Sequence, residues 1–262
     1  MIKNIDESLA VSQRILIELF RRKRSLIFWA MFPIFILLIN SYIIAERAKI
    51  TTALAMKISA PSSLVGAALF FSCLGGTIAT IVAEREQKTL KRLFISPLNG
   101  ASYFLGIFFA HSFIGLLQTL LVYGLLLIVL LIKEMSISGS IILGLIIIIL
   151  SIISYVGVGF ILGTQLAKRT EDVNAIVATF GVPLLIMGGT FFPSSLFPKK
   201  LLEIAQFNPI FHMNEALINL WGKGKSFEDI QGHFFFLLIF SIVMIFLGWW
   251  CYERMITKEK TL

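Results

Sequence analysis

The chain has 262 residues, of which 57% are hydrophobic, and carries 23 Lys and Arg against 15 Asp and Glu for a formal net charge of +8. A soluble domain is about 45–50% apolar, so this composition and a mean hydropathy of +0.89 exclude a soluble globular protein. Two cysteines cannot build a disulfide framework, and no soluble segment carries the basic, aromatic-interleaved stripe of a nucleic-acid binder.

Residues 5–24 read as an amphipathic helix. Ile5, Leu9, Leu16, Leu19 and Phe20 recur at helical spacing, with Glu7, Arg14, Glu18 and Arg21 opposite. Such a helix lies in the membrane interface, with Arg21–Arg24 among head groups. Six apolar runs follow: Ser25–Ala45, Ser62–Ala83, Tyr103–Ile132, Ile141–Ala167, Val173–Phe192 and His233–Tyr252. Each has the roughly 20 residues or more that cross a hydrocarbon core of about 30 Å. Stretches such as Gly144–Leu150 do not alternate, so the spans are helices and not barrel strands. The first run is longer than the core of a cleavable signal and reads as a retained span.

Orientation follows from the basic residues. Fifteen of the 23 fall on the side that holds both termini and the second and fourth loops. This places the N- and C-termini in the cytoplasm of a multi-pass inner or plasma membrane protein.

The third span is long enough to tilt, kink near Gly115 or Gly124, or protrude. Gly159 and Gly163 in the fourth form a face for close helix approach. His111 is the one ionisable residue placed within a span. Gln118 shares its face. It reads either as a functional intramembrane group or as a neutral histidine bonded between helices. The second span presents Phe70, Leu74, Thr77 and Ile81 on one face, and the fifth presents Phe180, Leu184, Met187 and Phe191. Such stripes suit an adaptable apolar pathway, or else pack or face lipid.

Between the second and third spans, Glu84-Arg85-Glu86 ends the apolar run. A short amphipathic helix follows with Leu90, Leu93 and Phe94 at i, i+3, i+4 spacing. Ser96-Pro97 stops it, because proline disfavours helix in the residue before it. A charged helix between two spans has the shape of a docking element on the membrane face. The segment 193–232 is the largest piece outside the spans. Prolines 193, 198 and 209 divide it into two short helices, a hairpin whose Leu201, Leu202, Ile204, Phe207, Ile210 and Phe211 would lie on or dip into the membrane.

Two decoys fall away. Asn219–Ser226 ends like a phosphate loop, but Asn219 stands where its first glycine belongs and no strand precedes it. His111, His212 and His233 lie in different elements with no Cys or carboxylate at metal-ligand spacing. No catalytic cluster is present.

Glu84, Arg85, Glu86, Thr89, Leu90, Arg92, Leu93, Ser96, Pro97 and Leu98 resemble the coupling-helix region of ABC type-2 transporter permeases. Gly188–Pro193, Leu196–Pro198, Asn208-Pro209 and Glu215–Leu217 resemble that family's C-terminal signature, about 100 residues on and in the expected order. One departure is Lys88, where many relatives have Gly. The resemblance implies an all-α membrane protein: an interface helix over 1–24, then a six-span domain over 25–262 with a cytoplasmic coupling helix at 84–98 and an extracytoplasmic hairpin at 193–232. It implies the membrane subunit of an ATP-driven exporter of a lipophilic or amphipathic drug, lipid or glycolipid. The chain itself would bind no cofactor. Two copies of a separate ATPase would use ATP and Mg, and a second copy or a related permease would complete the pore. Glu84, Arg85, Glu86, Thr89, Leu90, Arg92, Leu93 and Pro97, with Arg169 and Glu171 in the fourth loop, would transmit the stroke. Spans two and five of two subunits would meet at the axis, with Phe70, Thr77, Phe180, Leu184, Met187 and Phe191, or else His111 and Gln118, along the substrate route. Membrane lipids would surround it. The alternatives are a polysaccharide or glycoconjugate export permease and a secondary transporter. The latter usually shows intramembrane charges or broken helices in paired repeats.

Overall fold

The computed structural model describes residues 2–89 and 99–261. Among them nine helices and no strand occur. They are α1 (Ile2–Arg21), α2 (Lys23–Ala48), α3 (Thr52–Glu86), α4 (Gly100–Ile132), α5 (Ile141–Gln165), α6 (Thr170–Met187), α7 (Lys199–Ala205), α8 (Pro209–Leu217) and α9 (Phe227–Thr261). Six of these, α2 to α6 and α9, are long and apolar enough to cross a membrane.

The central column is α3. Thr51 caps its start, its hydroxyl accepting from the Leu54 amide at 3.4 Å. Its helix contains Pro61, which lacks an amide donor and crowds the preceding turn. From Ser63 to Gly75 the backbone then winds as a π-helix. Gly159 and Gly163 of α5 take the close contact: a Cβ on Gly159 would stand 2.8 Å from Thr77 Cβ, and one on Gly163 would stand 3.2 Å from Ile78 Cα. The small face read from the sequence therefore packs α5 against α3.

Aromatic groups bind the bundle at three heights. Phe104, Phe160, Trp249 and Tyr252 join α4, α5 and α9, with Phe104 and Phe160 centroids 4.2 Å apart. Phe70, Phe71 and Tyr155 join α3 and α5, and the Tyr155 hydroxyl donates to the Val65 carbonyl at 2.9 Å. Farthest from the termini, Tyr123 packs edge-on to Trp221 at 4.7 Å.

Four readings from sequence change. First, α3 begins ten residues before Ser62. It takes in Lys57, which the sequence placed in a loop. Lys57 is buried, and its ammonium donates to the Ser136 carbonyl and the Ser138 hydroxyl, each at 3.0 Å. Buried Glu84 also lies in this helix, so His111 is not the lone ionisable group within a span. Second, α1 also has a side packed on the bundle that the sequence reading did not name. Ser8, Val11, Ser12 and Ile15 are buried, while Ile5, Leu9 and Phe20 are exposed. Its apolar arc is broad enough to serve both the bundle and the lipid. Third, α8 does not lie on a surface. Ile210, Phe211, Met213, Ala216 and Leu217 are buried in the bundle, while Ile204 and Phe207 before it are exposed, at 55% and 83%. Fourth, Glu84–Glu86 close α3 instead of opening a separate helix. Leu90, Arg92, Leu93 and Pro97 of the expected coupling helix lie outside the described residues.

The third span runs unbroken over 33 residues, about 50 Å at 1.5 Å per residue. It exceeds the hydrocarbon core by length alone.

Candidate functional site

Two places in the bundle carry the residues singled out by sequence. The first is the terminus-side end of α3, where three consecutive charged residues point in three directions. Each serves a different neighbour, as helical spacing of 100° per residue requires.

Glu84 is buried. Its Oε1 accepts from the Arg14 guanidinium of α1, which also donates to the Tyr103 hydroxyl at 2.9 Å. Its Oε2 is buried and has no hydrogen-bond partner among the described residues. Arg85 reaches the end of α5. Its guanidinium donates to the Ala167 carbonyl at 2.7 Å and the Thr164 carbonyl at 3.3 Å, and lies 2.8 Å from Met255 Sδ of α9. A helix C-terminus leaves carbonyls without intrahelical donors and carries partial negative charge, so a guanidinium suits it on both counts. Glu86 is exposed. It accepts from the Thr170 amide at 3.0 Å and from the Thr170 hydroxyl, which fixes the start of α6. Asp172 completes that start by accepting from the Lys168 and Arg169 amides, each at 2.9 Å.

The clamp thus joins α1, α3, α5, α6 and α9 at one end. Arg169 and Glu171 flank Thr170 and are exposed beside it, so the second and fourth loops meet here. The chain leaves α3 through Lys88 at φ +55°, the left-handed region. A glycine at this position, as in the resembled family, meets no Cβ penalty there. Thr89 is half-buried and ends the described stretch. Sequence patterning missed Arg14, Tyr103, Thr170 and Met255. Only Thr170 carried a local sign, since Thr-Glu-Asp is a helix-starting pattern.

The second place is an apolar cavity of about 270 Å³ between α3, α5, α6, α8 and α9. Phe70 and Leu74 of α3 meet Phe180 and Leu184 of α6 across it, with Tyr155 of α5 and Met213 of α8. A Cβ on Gly181 would lie 2.0 Å from Phe70 Cζ, so the Phe70 ring sits in the notch that this glycine leaves. A π-helical stretch, Val177–Gly181, lies at the same level of α6. Phe180 is 53% exposed, so the cavity wall is also the outer face of α6.

Of the eight pathway residues named from sequence, three line this cavity: Phe70, Phe180 and Leu184. Thr77 is buried against α5, its hydroxyl donating to the Cys73 carbonyl at 2.6 Å. Met187 is half-buried and Phe191 exposed, both beyond the cavity. Gln118 is buried in α4 away from it.

His111 bridges α3 and α4. Its Nδ1 lies 3.2 Å from the Ser72 carbonyl and its Nε2 lies 2.9 Å from the Thr80 hydroxyl. A carbonyl only accepts, so Nδ1 carries the proton and a neutral ring accepts from Thr80 at Nε2. These two contacts tie α4 to α3.

Residues 55–250 match the sequence profile described as ABC-2 family transporter protein. The chain is similar to the probable multidrug ABC transporter permease YbhR of Escherichia coli strain K12. The two are 24% identical over 165 residues, covering 63% of this chain and 44% of that relative. The same permease of Escherichia coli O157:H7 matches with the same figures. The match therefore spans under half the length of either relative.

Proposed function

The chain belongs to the ABC-2 family transporter proteins, a membrane permease without catalytic activity of its own, and from that premise we propose that it is the transmembrane subunit of an ATP-driven exporter. It moves a lipophilic or amphipathic substrate (drug, lipid or glycolipid) outward from the cytoplasm or inner leaflet. Two copies of a separate ATPase dock on the face that carries Glu86, Arg169, Glu171 and the second loop. A second copy of the chain, or a related permease, completes the pathway. Both termini are cytoplasmic in this reading, and residues 193–232 face outward.

The observation that carries the proposal is the clamp at the end of α3. One exposed carboxylate, Glu86, holds the N-terminus of α6 while its neighbours hold α1 and α5. A push on the second loop is thereby delivered to α6, and α6 is a wall of the apolar cavity. The cavity offers aromatic, aliphatic and thioether surface that suits varied apolar shapes. A multidrug relative agrees with that chemistry.

The test uses inverted membrane vesicles holding the chain with its ATPase. ATP is expected to drive accumulation of a lipophilic dye such as ethidium, and Glu86→Ala is expected to abolish it with the protein still inserted. Accumulation driven by an ion gradient without ATP would overturn the reading. Topology is checked separately with single cysteines in a background lacking Cys73 and Cys251. An impermeant thiol reagent should label Ser195→Cys in intact cells and Gln87→Cys only after permeabilisation; the reverse pattern would invert the protein.

A further inference from the structure

At the same end of the bundle, beside the clamp, lies a cavity of about 590 Å³ between α5 and α9. Arg85, Lys168, Arg254 and Lys258 line it, with Thr164, Gln165 and Met255. None of the described residues lining it is acidic. Arg85 forms the floor and is already engaged with the α5 carbonyls. Lys168, Arg254 and Lys258 are exposed at the rim.

A second feature gives the occupant its shape. Phe246, Trp250, Arg254 and Lys258 stand four residues apart along α9, which places them in one stripe. The stripe is apolar toward the middle of the bundle and basic toward its end. Phe246 and Trp250 are both exposed, and the Arg254 guanidinium lies 4.2 Å from the centre of the Trp250 ring. That contact holds the arginine at the level where tryptophans sit in a membrane interface. Leu166 adds exposed apolar surface where α5 ends. A free anion would use the basic end alone. A molecule with an anionic head and apolar tails uses the whole stripe.

We propose that this cavity binds the phosphate headgroup of an anionic phospholipid of the surrounding leaflet, its acyl chains lying along Phe246 and Trp250. Basic pockets between spans at this depth attract such headgroups. The site is separate from the substrate cavity and requires only that the chain is embedded in a membrane. Because Arg85 joins its floor to the clamp, occupancy would brace the ends of α5 and α9 against α3.

The test is retention of lipid by the full-length chain extracted from bilayers of phosphatidylglycerol and phosphatidylcholine, read by native mass spectrometry. Phosphatidylglycerol should be enriched over phosphatidylcholine. Lys168→Gln and Lys258→Gln remove exposed charges and should leave the fold intact. Each should lower the enrichment about fivefold. Arg254→Gln should lower it further, because the stacked headgroup contact goes with the charge. Lys199→Gln/Lys200→Gln, at the opposite end of the bundle, should leave it unchanged. The proposal is overturned if the Lys168 and Lys258 variants retain full enrichment. It is also overturned if excess inorganic phosphate displaces the lipid, which would make this a free-anion site. Retained enrichment with lost ATPase co-purification would assign the surface to the ATPase instead.

Discussion

Helices α3 and α6 meet across the same cavity, yet they are built on opposite terms. In α3, 78% of the apolar window is buried within the chain, whereas in α6 the figure is 17%. Polar contacts fix α3 at both ends: Lys57 binds the 136–138 loop, and Glu84, Arg85 and Glu86 bind four other helices. The start of α6 is held through Thr170, and most of its length shows apolar side chains outward. A helix that packs on all sides has one position. A helix held by one end and exposed along its length has room for a partner and for movement. The asymmetry makes α3 the packed column and α6 an exposed wall joined to the clamp through Thr170. It also bears on the expectation that spans two and five of two subunits meet. In this chain, exposed surface for such a meeting lies on α6, while Phe70 and Thr77 of α3 face inward.

The largest expected effect breaks the column. Glu84→Ala removes the carboxylate that Arg14 and the packed Tyr103 face. Loss of one partner of a buried pair costs about 3–5 kcal/mol. Arg14 is roughly half in solvent, which reduces the figure to about 2 kcal/mol. Tm should fall by about 5 °C. Glu86→Ala should leave Tm within error, because Glu86 is exposed, while transport is lost. Equal stability of the two variants would remove the distinction between a structural Glu84 and a transmitting Glu86. From the sequence both residues read alike, as parts of one charged docking segment. The burial of one became visible only in three dimensions.

Next comes the contact between the two helices. Gly181→Ala drives a methyl group into the Phe70 ring. Overpacking of this kind costs about 1–3 kcal/mol, and the cavity should narrow or re-form. Phe180→Ala acts on the other side. With the ring more than half exposed, stability should change by less than about 0.5 kcal/mol, but the range of exported compounds should shift. An unchanged export profile with Phe180→Ala, measured on a panel of lipophilic dyes, would show that the cavity is packing space alone.

How far the sequence could be read follows from the range of each signal. The six spans were legible because bilayer thickness writes itself as a run of apolar residues. The Gly159–Gly163 face was legible for a similar reason, being a short-range pattern. The π-helical stretches of α3 and α6 were not, since nothing in Ser63–Gly75 changes composition. Pro61 is a cue only in hindsight. The clamp was half legible. Glu84-Arg85-Glu86 stood out, but Arg14 lies 70 residues from its partner and Met255 lies 170 residues from Arg85. The inward turn of α8 was missed because an apolar segment outside the spans reads the same on a membrane surface as in a bundle.

A smaller effect lies where the clamp passes into the second loop. Lys88 holds a left-handed φ that costs an L-residue about 1 kcal/mol relative to glycine. Lys88→Gly should therefore raise stability slightly, by less than that amount because glycine also loses more entropy on folding. The resemblance marks this site as the family's glycine, and the backbone explains why glycine fits. A fall in Tm for Lys88→Gly would mean that the lysine side chain supports the exit from α3.

The smallest effect is a pH dependence at the far end, where the α8–α9 contact pairs two histidines among aromatic rings. His212 Nε2 lies 2.7 Å from the Gln206 carbonyl, and its Nδ1 lies 2.8 Å from Nδ1 of His233. The carbonyl can only accept, so His212 carries its proton on Nε2. Its Nδ1 then accepts from His233 Nδ1–H. Protonating His212 puts two donors face to face and breaks that bond. Burial holds the His212 pKa below its ordinary 6.5, against the opposing pull of the Gln206 carbonyl. A histidine with a depressed folded-state pKa contributes stability that is present above its unfolded value and is lost as pH falls below it. The facing acid is Glu215. Tm should be flat above pH 7 and fall by about 2 °C between pH 6.5 and 5. His212→Phe keeps the ring stacked on Phe236, 3.9 Å away, and removes the titrating nitrogen. That variant should show a flatter profile over the same range. A wild-type profile that is equally flat would mean that the histidine pair bears no share of the α8–α9 contact, leaving Phe211 and Phe236 to hold it.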